Sequence, residues 1–194
     1  MAKAKSKARE ALEAVETVDR EVAELAAPIH DSKAVKAIGF VSELGDQPPM
    51  RAICATVIGA GLLRGDRKLA RAGVRMLAAH TIATWARGLI KHQVDRTRPK
   101  LLVEEGRYGM KAGHSREKEQ SSFPSGHTAG AVSAAGTFAK DYPDHALVAW
   151  GASGAIAVAQ VPRCMHYPSD IAAGAAIGLV SAALVNRLLP AAAD

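Results

Sequence analysis

Five apolar runs, at residues 50–63, 74–90, 127–139, 145–161 and 171–189, limit what this chain can fold into. Each is rich in Ala, Val, Leu, Ile and Gly and is bounded by charge or proline, so each reads as a helix. Aromatic residues are only 4% of a chain that is 48% apolar, so the hydrophobic surface is mainly small and aliphatic. Small side chains let helices pack closely. With one or two helices before them, the runs predict an all-α helical bundle of about six helices.

Residues 3–27 read as a charged helix. Leu12, Val15, Val18, Val22 and Leu25 recur at steps of three or four, with Glu and Lys on the other faces, and Pro28 follows the end. Residues 33–44 form a short amphipathic piece, after which Gly45-Asp46-Gln47-Pro48-Pro49 breaks the chain. We expect a charged helical extension over 1–45 and a catalytic helical bundle over 46–194. A chain of 194 residues has room for one real core.

A spanning helix needs about 20 largely apolar residues. Only the last run approaches that without an internal charge; others are shorter or carry Arg75, His80, Arg87 and Lys91. Mean hydropathy is near zero, diluted by the polar N-terminal part. The expectation is a membrane-embedded bundle, with a soluble or peripheral one as the alternative. Residues 1–24 lack the apolar run of an export signal, which leaves insertion to the internal segments. The stretch Arg64-Gly65-Asp66-Arg67-Lys68 with Arg71 and Arg75 is strongly basic and is expected on the cytoplasmic side. Alternate crossings then put the loops at 91–126 and 162–170 on the non-cytoplasmic side, as in a bacterial-type inner membrane.

The formal charge of +6 fits nucleic acid, an anionic membrane or an anionic substrate. Nucleic acid is disfavoured, because almost no aromatics are interleaved with the basic residues for base stacking. Cys54 and Cys164 match no metal-binding or redox spacing and read as small hydrophobes.

Three clusters carry chemistry. Lys91 ends an apolar helix seven residues before Arg98-Pro99, and a mobile ammonium with a planar fork suits different oxygens of one phosphate. Ser125 is an N-cap candidate opening the helix after Pro124. Gly126 lets backbone approach a ligand, free amides there favour an anion, and His127 in the first turn can serve as general acid. His166 stands four residues before Asp170, whose carboxylate can accept from one imidazole nitrogen and leave the other as a nucleophile. Each cluster alone also has a plain reading, as a basic helix end, an N-cap or an Asp cap beside an ordinary His. Metal ligation is opposed by the cationic surroundings, and no cofactor is expected.

Taken together these residues resemble the type 2 phosphatidic acid phosphatase (PAP2) superfamily, which includes bacterial acid phosphatases and vanadium haloperoxidases. The resemblance covers roughly residues 46–189. The family's Lys, six residues, Arg-Pro is matched by Lys91, Arg98 and Pro99, and its Pro-Ser-Gly-His by Pro124 to His127. Its Ser-Arg, five residues, His, three residues, Asp is matched only at His166 and Asp170, because Ala159-Gln160 stands where Ser-Arg is expected. Gln160 can donate a hydrogen bond but supplies no charge, and Arg163 is a candidate replacement. The resemblance implies metal-independent hydrolysis of a phosphate monoester on a lipid, of phosphatidic acid or isoprenyl phosphate type, through a phosphohistidine on His166. Asp170 would orient that ring and His127 would act as acid. Lys91, Arg98, Ser125, Gly126, Arg163 and Gln160 would hold the phosphate. A catalytically impaired phosphate- or lipid-binding homologue, a vanadate-dependent haloperoxidase and a purely structural membrane bundle are the other readings.

Overall fold

The computed structural model describes residues 2–115 and 117–190, and it is a bundle of eight α-helices with one small hairpin. Met1 and 191–194, at the outer ends of the two expected units, lie outside the described residues. The helices are α1 (Ala2–Ala26), α2 (Lys33–Ser42), α3 (Gln47–Leu63), α4 (Arg67–Lys91), α5 (Pro99–Glu105), α6 (Gly126–Asp141), α7 (Ala146–Val158) and α8 (Pro168–Leu188). About six were expected, the five apolar runs with one or two helices before them. Helix α5 was not among them: it lies inside the loop after Lys91, starts at Pro99 and stops at Gly106 in the left-handed conformation, a turn too short for periodicity to show. An antiparallel hairpin, β1 (Val94–Arg96) with β2 (Met110–Ala112), braces the same loop.

Helix α6 is the central element and packs against α4, α7 and α8. Two glycines of α8 explain how closely α6 and α8 approach. A Cβ on Gly174 would stand 2.5 Å from the Ser125 carbonyl oxygen, and one on Gly178 would stand 2.8 Å from that of Ala129. On the other flank Met50, Cys54, Met76, Ala131, Ala134 and Ile156 form a core among α3, α4, α6 and α7. Cys54 and Cys164 are both free and fully buried, as expected of small hydrophobes.

The two ends of the bundle differ. At one end the α3–α4 and α6–α7 connections meet, with the Lys68 ammonium 5.5 Å from the Tyr142 ring centroid. Just inside, a buried Arg75 bonds Asp141 and, at 2.5 Å, Asn186. The end of α4 and the starts of α6 and α8 converge at the opposite end, bringing all three sequence clusters together.

Helix α1 forms as expected and docks through its polar side, leaving most of its apolar stripe exposed. Leu12, Val15, Val18 and Leu25 are exposed, while Asp19, Ala23 and Ala26 are buried. The reason is an ion pair: Asp19 accepts from Arg96 at 2.7 Å and from the Ser169 amide at 3.0 Å, so the polar side of α1 turns inward onto α5 and α8.

Candidate active site

Three helix ends and two loops wall a cavity of about 330 Å³. Helix α4 brings Lys91, and Arg98 precedes α5 in extended backbone forced by Pro99. The turn before α6 brings Gly126 and His127, and the loop between α7 and α8 brings Arg163 and His166. Six of the nine candidates therefore line one cavity, although they lie up to 75 positions apart.

Ser125 is fully buried and caps α6, accepting from the Thr128 amide at 3.4 Å. Its own amide donates to the Asp170 carbonyl at 3.0 Å, which fastens the start of α6 to the start of α8. The amides of Gly126 and His127 have no acceptor among the described residues, so they remain open donors at a helix N-terminus beside the cavity.

His166 is held rigidly. Its Nδ1 lies 2.7 Å from the Ser122 carbonyl oxygen, which can only accept, so Nδ1 carries the proton and Nε2 keeps its lone pair. Asp170 is 3.8 Å from the same nitrogen, and thus sits one step behind the acceptor expected from spacing. Its carboxylate takes the Ser122 hydroxyl, the Tyr167 amide at 2.8 Å and Arg96 at 2.6 Å. The Ser122 amide in turn donates to the Arg96 carbonyl at 3.0 Å. Burial pushes the His166 imidazole below its ordinary range, reinforced by Arg98 and His127 and opposed by Asp170. The His127 and His166 ring centroids are 6.4 Å apart across the site.

Cationic charge is concentrated here. Burial and the neighbouring Arg87 lower the Arg98 pKa, the sign of a guanidinium short of negative partners. Arg98 spends only Nε on a protein oxygen, the Lys118 carbonyl at 2.9 Å.

The PAP2 superfamily model matches residues 72–194, more than half of the chain. This chain belongs to the PAP2 superfamily. A solved structure titled as the first transmembrane PAP2 type phosphatidylglycerolphosphate phosphatase, from Bacillus subtilis, superposes with a TM-score of 0.67. It is 22% identical, with 90% of this chain and 86% of that one covered, a likeness of fold. No curated protein matches the sequence.

As a PAP2 protein the chain departs from the family pattern at Gln160, and the structure shows what that residue does instead. Gln160 is fully buried, does not line the cavity, and donates to the Ile156 carbonyl at 3.0 Å. Its own backbone carbonyl accepts from the Met165 amide at 3.1 Å, closing the turn that leads to His166. Arg163 reaches the cavity wall, but its fork is engaged by Glu43 at 2.5 Å and the Ser42 hydroxyl at 2.7 Å.

Several residues here were not among the candidates. Glu43 enters from the 3-10 turn after α2, with its other oxygen 3.7 Å from His127 Nε2. Its carboxyl is raised by burial, but the Arg163 hydrogen bond and charge, with His127, bring it below the ordinary value. Ser122, Arg96 and Lys118 belong to a loop with no periodicity to read. Arg87 lines the cavity from α4, and its position one helical turn before Lys91 is a spacing signal that could have found it.

Proposed function

We propose that this PAP2 protein is a metal-independent phosphatase acting on a phosphate monoester of a lipid, of phosphatidic acid or isoprenyl phosphate type, through a phosphohistidine. The observation that carries the reading is the pair of imidazoles 6.4 Å apart across a cation-lined cavity, one of them with Nδ1 locked and Nε2 free. The His166 Nε2 lone pair attacks phosphorus as the bond to the ester oxygen breaks, and His127 delivers a proton to that departing oxygen. Lys91, Arg98 and the open amides of Gly126 and His127 stabilise the charge on the equatorial oxygens. Water, deprotonated by His127, then attacks the phosphohistidine, returning the electron pair to Nε2 and releasing phosphate. Five lysines and arginines line the cavity against two carboxylates, Glu43 and Asp46, and this excess of positive charge opposes a divalent ion, which supports chemistry without one.

The lipid substrate and membrane setting rest on the exterior. Pro168–Leu188 is long and apolar enough to cross a bilayer. Leu62, Leu63, Trp85, Leu147, Val158 and Val180 are exposed large apolar side chains on α3, α4, α7 and α8. A bundle in a membrane explains such a surface. In this reading residues 46–194 form the catalytic bundle, residues 1–45 an extension that closes the site from one side, and the motif loops face away from the cytoplasm.

The test is a phosphatase panel in detergent with chelator and no added metal: phosphatidic acid, an isoprenyl phosphate and an aryl phosphate, with wild type against His166→Ala. Hydrolysis by the wild type, absent in the variant, supports the reading. No hydrolysis of any substrate, or an equally active variant, sinks it. A second reading, a binding protein with impaired turnover, is favoured by the absence of a charged side chain at Gln160. It predicts substrate binding with no wild-type turnover.

A further inference from the structure

We infer that Arg87, which lies outside all three motifs, is a phosphate-binding residue of this site and supplies the cation missing at position 160. The inference rests on the phosphatase reading and adds a ligand to it. Three observations lead there. First, the side chain at position 160 is neutral, fully buried and turned to the Ile156 carbonyl, so it gives the phosphate neither charge nor a donor. Second, Arg163, the nearest arginine in sequence, is already neutralised by Glu43 and also holds Ser42. Third, Arg87 lines the same cavity as Lys91, Arg98, His127 and His166.

The attachment of Arg87 matters as much as its position. Its Nε donates to the Pro124 carbonyl at 3.2 Å, while its two terminal nitrogens have no hydrogen-bond or ion-pair partner among the described residues. A guanidinium pinned through Nε presents a fixed fork, the geometry that suits two oxygens of one phosphate. Helical spacing places Arg87 on the same face as Lys91, one turn earlier. The turn before α6 is shaped around it. A Cβ on Gly126 would stand 3.3 Å from the guanidinium carbon and 3.4 Å from Nε, so the absent side chain at 126 leaves the fork room to lie against the backbone whose amides face the anion. Gly126 thus serves both the backbone donors and the arginine.

The test measures aryl phosphate hydrolysis and inhibition by orthovanadate, a mimic of the pentacoordinate phosphoryl group, for wild type, Arg87→Ala, Arg87→Gln and Arg87→Lys. Losing one such donor is expected to lower kcat/KM about 100-fold or more, as for an oxyanion donor. Vanadate inhibition should weaken at least about tenfold in parallel, with Arg87→Lys in between because it keeps charge without the fork. Gln160→Arg in the wild-type background should give no gain, because the charge is already present. Arg87→Ala or Arg87→Gln within about threefold of wild type, or activity lost with vanadate inhibition unchanged, overturns the assignment. If Arg87→Ala does not fold, the Gln and Lys variants give the same two readouts. If the wild type hydrolyses nothing, the phosphatase reading fails, and vanadate binding measured by calorimetry on wild type and Arg87→Gln still decides whether Arg87 holds an anion.

Discussion

At the scale of single residues, the proposed reaction requires His166 to stay neutral with Nε2 free. The Ser122 carbonyl fixes the tautomer, and burial, with Arg98 and His127 nearby, lowers the imidazole pKa. The free enzyme should therefore stay active as pH falls through the ordinary imidazole range near 6.5, and the acid limb of kcat/KM should lie below it. Arg98→Ala removes one of the lowering charges and should move that limb to higher pH, besides weakening phosphate binding. A pH–rate profile with an aryl phosphate checks both. The sign for stability is the opposite. Below about 6.5 the unfolded chain binds a proton that folded His166 resists, so its contribution disfavours the fold increasingly as pH drops towards the folded value. Asp170 behaves differently from His166 because it also compensates Arg96. Asp170→Asn leaves a buried guanidinium with less negative charge, and should cost about 3–5 kcal/mol of stability together with activity, whereas His166→Ala leaves no buried charge unpaired and should abolish activity with a smaller loss of stability. Thermal melts of the two variants separate these outcomes. His166, Asp170, His127 and Lys91 were legible in sequence because their spacing follows local helix starts and ends. Ser122 was not, since it holds His166 through a main-chain carbonyl that any residue type could supply, and the partner of its hydroxyl, Asp170, lies 48 positions away.

At the scale of elements, the turn after α2 walls the site and α1 braces it from behind, each through a carboxylate. Asp19 completes the Arg96–Asp170 network from α1. Asp19→Ala should lower the thermal midpoint and loosen Ser169 at the start of α8, while Val18→Ser on the exposed face should leave stability within about 0.5 kcal/mol of wild type. Equal melting curves for the two variants would contradict this docking. Periodicity showed that α1 is a helix with an apolar stripe, and most of that stripe stays exposed; it could not show which face docks. A buried ion pair decides the docking face, and the partner of Asp19, Arg96, lies 77 residues away. Glu43 works differently, as an internal anion on Arg163 and near His127. Glu43→Gln removes that charge and should strengthen inhibition by orthophosphate several-fold by leaving Arg163 free to bind it; unchanged or weaker inhibition would show that Arg163 is held for structure. Close packing of α6 on α8 was foreshadowed by the small residues of both runs, but the individual contacts of Gly174 and Gly178 with α6 carbonyls were not.

For the whole molecule, the α3–α4 and α6–α7 connections meet at one end and the candidate site lies at the other, the polarity that the proposed membrane setting requires. The two tryptophans sit near opposite ends. Trp85 lies six residues before the end of α4, about 9 Å along the axis from the active-site end, and Trp150 lies within the first two turns of α7 at the other end. Trp85 is 69% exposed and Trp150 38% exposed, and aromatic rings at these levels match the two interfacial belts of a membrane protein. Apolar runs made the separation of the two ends readable from sequence, because helix lengths and connections follow from them; the walls of the site were less readable, because they depend on which loops the hairpin and α5 bring together. The membrane reading can be tested on these two rings. In vesicles containing lipids brominated high on the acyl chain, Trp85 fluorescence, measured in a Trp150→Phe background, should be strongly quenched, and aqueous iodide should quench it little. Trp150, measured with Trp85→Phe and only half as exposed, should respond to the same lipids more weakly. Strong iodide quenching of Trp85 with no effect of brominated lipid would place its exposed face in water and the bundle outside the bilayer.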